Sequence, residues 1–354
     1  MELNELGFDD WFREKAAEQC SSDQQVSRVM AVDRGRFTVR GEHGEFPAKV
    51  TGKVMHTAES TSDFPCVGDW VCVQYREDEK FASIHSILPR KSLLRRKTIG
   101  KEIEYQVIAA NIDAAFVVQA CQFDFNVNRL ERYLVMANES HIEPILILTK
   151  IDTINPQELE QYTASIRQAG IDNRIIAVSN VTGVGIDEIR ETMKPAATYC
   201  LLGSSGVGKS TLINQLLGQE ALATKEVSET GEGRHTTVRR QLIVLKQGAM
   251  LIDTPGMREL GIIGTEEDLV ESFDDIAELS LKCRFSDCAH ISEPGCAVRA
   301  ALESGDLNEK HYNNYLKLKR EAEFNQQSLV EKRKKDKAFG RLVRSAGKNK
   351  NKQE

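Results

Sequence analysis

The chain has no long apolar run: nothing in its 354 residues approaches the roughly 18 to 20 consecutive apolar residues that a membrane-crossing helix needs. The start, MELNELGFDDWF, lacks the basic and apolar regions of a secretory signal, so a cytoplasmic protein without membrane attachment is expected. No internal repeat is visible, which sets repeat architectures aside. Aromatic residues are few, at 6%, yet the hydrophobic fraction of 40% suffices for the cores of two or three domains. The eight cysteines are scattered, and the last three lie near one histidine. That distribution suits reduced thiols and a metal better than disulfides.

Charge is unevenly spread. From Lys310 to Glu354 there are 14 Lys plus Arg against 5 Asp plus Glu, a local +9 that leaves −15 on the rest of a chain whose net charge is −6. Such a tail is either an electrostatic arm for nucleic acid or a solvated helical face with a disordered end.

After a short helical N-terminus, the segments RFTVRG, PAKVTGKVM, DWVCVQYR and FASIHSIL read as closely spaced strands and predict a small barrel. The basic stretch PRKSLLRRKTIGK, with Arg90 to Lys101, reads as a linker that could itself touch phosphate. From about residue 105, apolar strands alternate with helical segments: AAFVVQA before NRLERYLVMAN, and PILILT before PQELEQYTASIRQAG, which has Pro156 at its start and Gly170 past its end. RIIAVS and TYCLL are further strands. Continuous apolar strands alternating with helices predict a parallel sheet covered on both faces. Beyond about residue 265 helices surround a Cys/His cluster.

The string GSSGVGKST fills every position of GxxxxGK[ST] between strand TYCLL and helix TLINQLLG. Gly203, Ser204, Ser205, Gly206, Val207 and Gly208 can wrap so that backbone N–H groups point at phosphate oxygens. Lys209 adds a positive charge, Ser210 offers its hydroxyl to Mg²⁺, and Thr211 is a further candidate nucleotide contact at the helix start. Downstream, strand AMLI delivers DTPG, in which Asp253 would orient Mg²⁺ and Gly256 meet a γ-phosphate. Between them GEGRHTT reads as a switch in which Thr236 or Thr237 reaches Mg²⁺. In TKID, Thr149 to Asp152, the Asp152 carboxylate can accept from N1–H and the exocyclic amine of guanine while the Lys150 stem covers the ring. Adenine offers neither donor, so ATP should be rejected. Strand RIIAVS ends at Ser179 and Asn180, where a backbone N–H could meet guanine O6. Asp152 as a mere helix cap is the competing reading.

The order TKID, SN, GSSGVGKS, GRHTT, DTPG resembles that of the circularly permuted GTPases. Every motif is a loop at the carboxyl end of a parallel strand, so rewiring the sheet retains the crevice. Thr149 stands where asparagine is commoner and Asn180 where alanine is; guanine reading is expected to survive both. Cys283, Cys288, His290 and Cys296 form CxxxxCxHxxxxxC, a donor set suited to tetrahedral Zn²⁺ with no open position, hence structural.

With GRHTT, DTPGMREL and CRFSDCAHISEPGCAV, the chain resembles, over nearly its full length, the family of bacterial ribosome small subunit-dependent GTPases A. The resemblance implies an OB-type β-barrel at residues 26–98 after an extension at 1–25. It further implies an α/β P-loop GTPase domain, circularly permuted, at 99–265, an α-helical zinc domain at 266–330 and a basic tail at 331–354. It also implies a monomeric GTP hydrolase, stimulated by the small (30S) ribosomal subunit, binding its rRNA and acting late in subunit assembly. Met257 occupies the position where many regulatory GTPases carry a water-orienting glutamine, which leaves His235 of GRHTT as the candidate for that role. An RNA-binding module in which guanine nucleotide regulates and turnover is incidental remains the alternative.

Overall fold

The computed structural model describes residues 2–33, 35–58, 60–76, 80–97, 105–121, 125–204, 206–218, 240–253 and 273–320. Ser205, His235, Thr236, Thr237, Gly256 and Met257 lie outside them, as do the side chain of Asp253 and the tail 331–354. The chain divides into two units: residues 1–96 with 105–260, and 97–104 with 261–354.

In the first unit, strands β1 (Gln25–Asp33), β2 (Arg36–Gly41), β3 (Gly44–Val50), β4 (Trp70–Arg76) and β5 (Phe81–Ile87) run in the order β1-β2-β3-β5-β4, and β4 pairs back onto β1. This closes a five-stranded barrel. The strand period of two sorts its residues: Val71 and Val73 of β4 join Val29, Val39 and Ile84 inside, whereas Trp70 and Cys72 face a second core with Phe8 and Phe12. PAKVTGKVM, expected as a single strand, bends: β3 stops at Val50, and Gly52–Thr57 is helical.

Helix α1 (Asp10–Gln19) begins where the Asp9 side chain accepts the Phe12 N–H, and lays Phe12 and Ala16 against Trp70. At its end Cys20 is disulfide-bonded to Cys72, with Cα atoms 5.5 Å apart and a sequence separation of 52. This corrects the expectation of reduced cysteines: strand pairing puts Cys72 on the outer face of the barrel, under α1, which spacing along the chain does not reveal. Thiol titration of denatured, unreduced protein is expected to find six free cysteines, and eight after reduction. Closing a loop of this length stabilises by about 4 kcal/mol in the chain-entropy account, so reduction should lower the melting temperature. Eight thiols without reductant would contradict the bond.

The basic stretch after β5 is also corrected. Arg90 is not a phosphate-facing linker residue: its guanidinium forks onto both oxygens of the fully buried Asp69 carboxylate, 2.7 Å each, and donates to the Ser62 and Phe64 carbonyls. Lys91 pairs with Asp9, and Leu93–Lys97 forms strand β6, which pairs with β7 (Tyr105–Ala110).

The remaining strands β8 (Ala114–Ala120), β9 (Glu143–Thr149), β10 (Ile175–Val178), β11 (Thr198–Leu202), β12 (Arg240–Val244) and β13 (Met250–Asp253) lie in the order β10-β9-β8-β11-β13-β12. All pair in parallel except β12, which is antiparallel to β13 and to β1 and so joins this sheet to the barrel. Every residue of β8 is buried, as a strand covered on both faces requires. In chain order after Gly52–Thr57 (α2), the helices of this unit are α3 (Val127–Glu139), α4 (Pro156–Gln168), α5 (Ile186–Thr192) and α6 (Lys209–Leu217). Pro156 opens α4 behind an Asn155 capping box, and Gly170 follows its end at φ 75°, as the sequence predicts.

Arg28 of β1 locks the barrel to the sheet. It is buried, and its guanidinium donates to the carbonyls of Leu6, Gly68 and Asn111, to Thr198 Oγ1 at 2.8 Å and to Met250 Sδ. Burial lowers its pKa to about 10, so it remains charged at neutral pH.

The described part of the second unit comprises α7 (Asp274–Ser280), α8 (Ala297–Ser304) and a helix over residues 309–320, packed through Phe273, Val298, Tyr312, Tyr315 and Leu318. Among the described residues no helix is long and apolar enough to cross a membrane.

Candidate nucleotide and metal sites

Parallel pairing of β8, β9, β10, β11 and β13 carries their carboxyl ends to one edge of the sheet, where TKID, Ser179-Asn180, the glycine-rich loop and Asp253 all emerge. Loops at this edge are where open α/β sheets bind ligands. In the glycine-rich loop Gly203, Gly206 and Gly208 have φ of 146°, 81° and 98°. A Cβ at Gly203 would come within 2.3 Å of the Val118 carbonyl, so the loop's path excludes any side chain there. Lys209 opens α6 and its Nζ lies over the same loop, donating to the Gly203 carbonyl at 2.7 Å and to that of Ser204. Ser210 and Thr211 occupy the first turn of α6, where backbone N–H groups have no intrahelical partner and favour an anion.

The base-reading side is equally specific. Lys150 adopts φ 61° and turns the chain so that Asp152 is exposed at the edge. The Ser179 hydroxyl is buried and accepts from the Val181 and Thr182 N–H groups, so its single proton goes to Asp152 Oδ1 at 2.6 Å. One carboxylate oxygen is thus fixed on an exposed side chain, and a carboxylate is the acceptor that a reader of two adjacent donors requires. Asp152 therefore does not act as a helix cap by side chain; no cap bond is made there.

Three side chains that sequence reasoning gave no such part hold the phosphate loop. Thr149 Oγ1 donates to the Val207 carbonyl at 2.6 Å, Asn180 Nδ2 donates to the Gly208 carbonyl at 3.2 Å, and Arg129 Nη1 donates to Ser204 Oγ at 2.6 Å. Thr149 thereby accounts for its own departure from asparagine: a hydroxyl suffices to tie β9 to the loop. Arg129, in the first turn of α3 and 75 positions before Ser204, carries no sequence signal for this contact.

A cavity of about 630 Å³ lined by Phe8, Arg28, Trp70, Lys91, Asp113 and Thr198 opens at the amino ends of β8 and β11. It lies at the opposite end of the strands from the glycine-rich loop.

In the second unit Cys283, Cys288, His290 and Cys296 converge, their ligand atoms all within 4.8 Å of one another. Cys283 and Cys296 Sγ are 3.9 Å apart, and His290 Nδ1 lies 3.6 and 3.5 Å from them. A tetrahedron with metal–sulfur distances of about 2.3 Å has edges of about 3.8 Å, so the donor set fits a structural metal. Burial raises the Cys283 thiol, but N–H groups of Ala297 and Val298 together with the neighbouring Cys296 and Cys288 sulfurs more than offset this and hold it below the usual value, whereas burial pushes Cys288 up to about 11. Ser280 donates its only proton to the Ile276 carbonyl at 2.7 Å, so it accepts at 3.0 Å from His290 Nε2–H and leaves Nδ1 as the ligand atom. The Tyr312 hydroxyl clasps the His290 carbonyl at 2.6 Å.

The RsgA GTPase family matches residues 87–263. The chain belongs to the RsgA GTPase family. A relative from Lactiplantibacillus plantarum, "Small ribosomal subunit biogenesis GTPase RsgA 2", is 44% identical over 85% of this chain and 84% of its own. The RsgA of Opitutus terrae is 40% identical over 91% and 90% of the two chains. Among solved structures, YjeQ from Thermotoga maritima matches with a TM-score of 0.64 at 27% identity, covering 84% of this chain and 98% of that one. YloQ, described as a circularly permuted GTPase, matches at 0.60 and 25% identity, covering 85% and 96%. As an RsgA family member the chain is a circularly permuted GTPase with an N-terminal barrel and a C-terminal helical region carrying the Cys/His cluster.

Proposed function

We propose that this chain hydrolyses GTP to GDP and phosphate, and that its activating partner is the small ribosomal subunit during late assembly, in the cytoplasm. The observation that carries the reading is the Ser179–Asp152 hydrogen bond, which supports a guanine reader at the same sheet edge as the glycine-rich loop that Lys209 overlies. The name of the relatives supports the partner.

In this reading Asp152 accepts from guanine, a backbone N–H at Ser179 or Asn180 meets O6, and Lys150 covers the ring. The loop Gly203, Ser204, Ser205, Gly206, Val207 and Gly208, with Lys209, neutralises the phosphates. Ser210, Asp253 and Thr236 or Thr237 would hold Mg²⁺, which would supply positive charge to neutralise the phosphates. Gly256 contacts the γ-phosphate and His235 orients the attacking water, since Met257 offers no donor. The metal of the Cys/His cluster is one Zn²⁺ per chain. The barrel and the basic tail bind rRNA, the tail by releasing counterions.

Because catalysis of this kind rests on positioning and charge, ordering the switch by a partner can raise turnover by orders of magnitude. Hydrolysis measured with and without purified small subunits should show strong stimulation of the wild type. His235→Ala is expected to lose most of it while still binding GTP, and Lys209→Ala to show little activity. Full stimulation of His235→Ala removes the histidine's role. Absence of stimulation of the wild type by any ribosomal particle leaves the RNA-binding module with incidental turnover as the better account.

A further inference from the structure

Asn180 follows β10 beside the serine that fixes Asp152, yet its side chain reaches the other way. Nδ2 donates to the Gly208 carbonyl at 3.2 Å, and that carbonyl is the N-cap of α6, already accepting the Leu212 N–H at 2.9 Å. The Asn180 backbone carbonyl in turn accepts from Gln215 Nε2 of α6 at 3.2 Å. Residue 180 therefore touches the phosphate-loop helix at Gly208 and at Gln215, positions about two turns apart along it. Gly208 makes room for the contact, since a Cβ there would stand 2.8 Å from Nδ2. The amide's other atom, Oδ1, is buried with no partner among the described residues, a cost that an alanine in this place would avoid. What the amide adds over alanine is the bond to Gly208.

A nucleotide diphosphate spans two loops from different strands, and it is gripped at both ends only if their separation is fixed to a fraction of an ångström. We propose that Asn180 is a positioning residue that couples the base-reading loop to the phosphate loop, so that guanine and phosphate are held by one rigid span. This rests on the guanine-nucleotide reading above. Thr149 supplies a separate bond from β9 to the neighbouring Val207 carbonyl, so the loops stay folded when the Asn180 bond is cut.

The test uses the full chain with Asn180→Ala and Asn180→Asp. Affinities are measured by fluorescent-nucleotide displacement for GDP, for guanosine alone and for inorganic pyrophosphate alone, with melting temperature as the folding control. Guanosine uses one loop and pyrophosphate the other; only GDP needs their spacing. GDP affinity is expected to fall about three- to tenfold in Asn180→Ala, the size of one hydrogen bond, with both fragments unchanged. Asn180→Asp, which turns a carboxylate oxygen toward the Gly208 carbonyl, should lose more. An equal fall for all three ligands, or GDP binding as in the wild type while its preference over ADP persists, overturns the coupling. ADP binding as tightly as GDP to the wild type overturns the guanine reading itself.

Discussion

Asp152→Asn is expected to weaken GTP binding by about a hundredfold or more and to confer binding of xanthosine triphosphate. Two hydrogen bonds to a charged acceptor are at stake, each worth about 1.5–3 kcal/mol, and tenfold in affinity corresponds to about 1.4 kcal/mol. The structure adds a reason for the direction of the switch. Ser179 Oγ accepts from two backbone N–H groups and so must donate to residue 152. In the variant it selects the remaining oxygen, and the new amide NH₂ is turned outward to where the second carboxylate oxygen stood. Guanine then meets a donor with its own exocyclic amine, a repulsive pairing. Xanthine presents a C2 carbonyl that accepts from it. Competition titrations of GTP, XTP and ATP against wild type and variant decide the matter; a variant that keeps the wild-type order of affinities means that Asp152 does not read the base. Ser179→Ala should blunt the wild-type preference, since nothing then fixes the carboxylate.

How much of this was legible beforehand depends on whether the physics is local. The glycine loop, TKID and the Cys₃His spacing are short strings whose chemistry is set by residues a few positions apart, and the apolar strands β8, β9 and β11 announce themselves by composition. The ties that make the site work are not local. Arg129 and Ser204 are 75 positions apart, Thr149 and Val207 58, and Asn180 and Gly208 28. Nothing in the residue types singles them out, because a threonine or asparagine at a strand end has many ordinary uses. The same applies to β1, whose run QVSRVMAVD drew no attention: it carries a buried arginine that becomes intelligible only with the carbonyls from three other segments around it. Arg90 defeats sequence reading for the opposite reason. Its basic neighbours suggested a surface, whereas the buried Asp69 that claims it is 21 residues away.

Removal of the metal from the second unit should have the largest effect on folding. The described part of that unit is small: three helices around Phe273, Ile276, Val298 and Leu318, with the Cys/His loop between the first two. A core of this size contributes little by itself, whereas a structural zinc site contributes about 10–16 kcal/mol of apparent binding free energy at neutral pH. Protein purified without chelator is expected to contain about one zinc per chain. A strong chelator should remove it with loss of helical circular dichroism and of the near-ultraviolet signal of Tyr312 and Tyr315, and Cys283→Ser should behave as the stripped protein does. Ser280→Ala is the finer probe. It removes the acceptor that holds His290 with its proton on Nε2, so the ring is free to turn or to shift its proton onto Nδ1, the atom facing Cys283 and Cys296. Such outer contacts are worth about ten- to a hundredfold in metal affinity, so chelator competition should show zinc leaving Ser280→Ala at correspondingly lower chelator concentration while the loaded protein keeps its helices. Protein found free of zinc, or a helical signal that survives stripping unchanged, would mean that the cluster is held by its own packing. Wild-type zinc affinity in Ser280→Ala would mean that the imidazole is oriented by the Tyr312 clasp on its backbone.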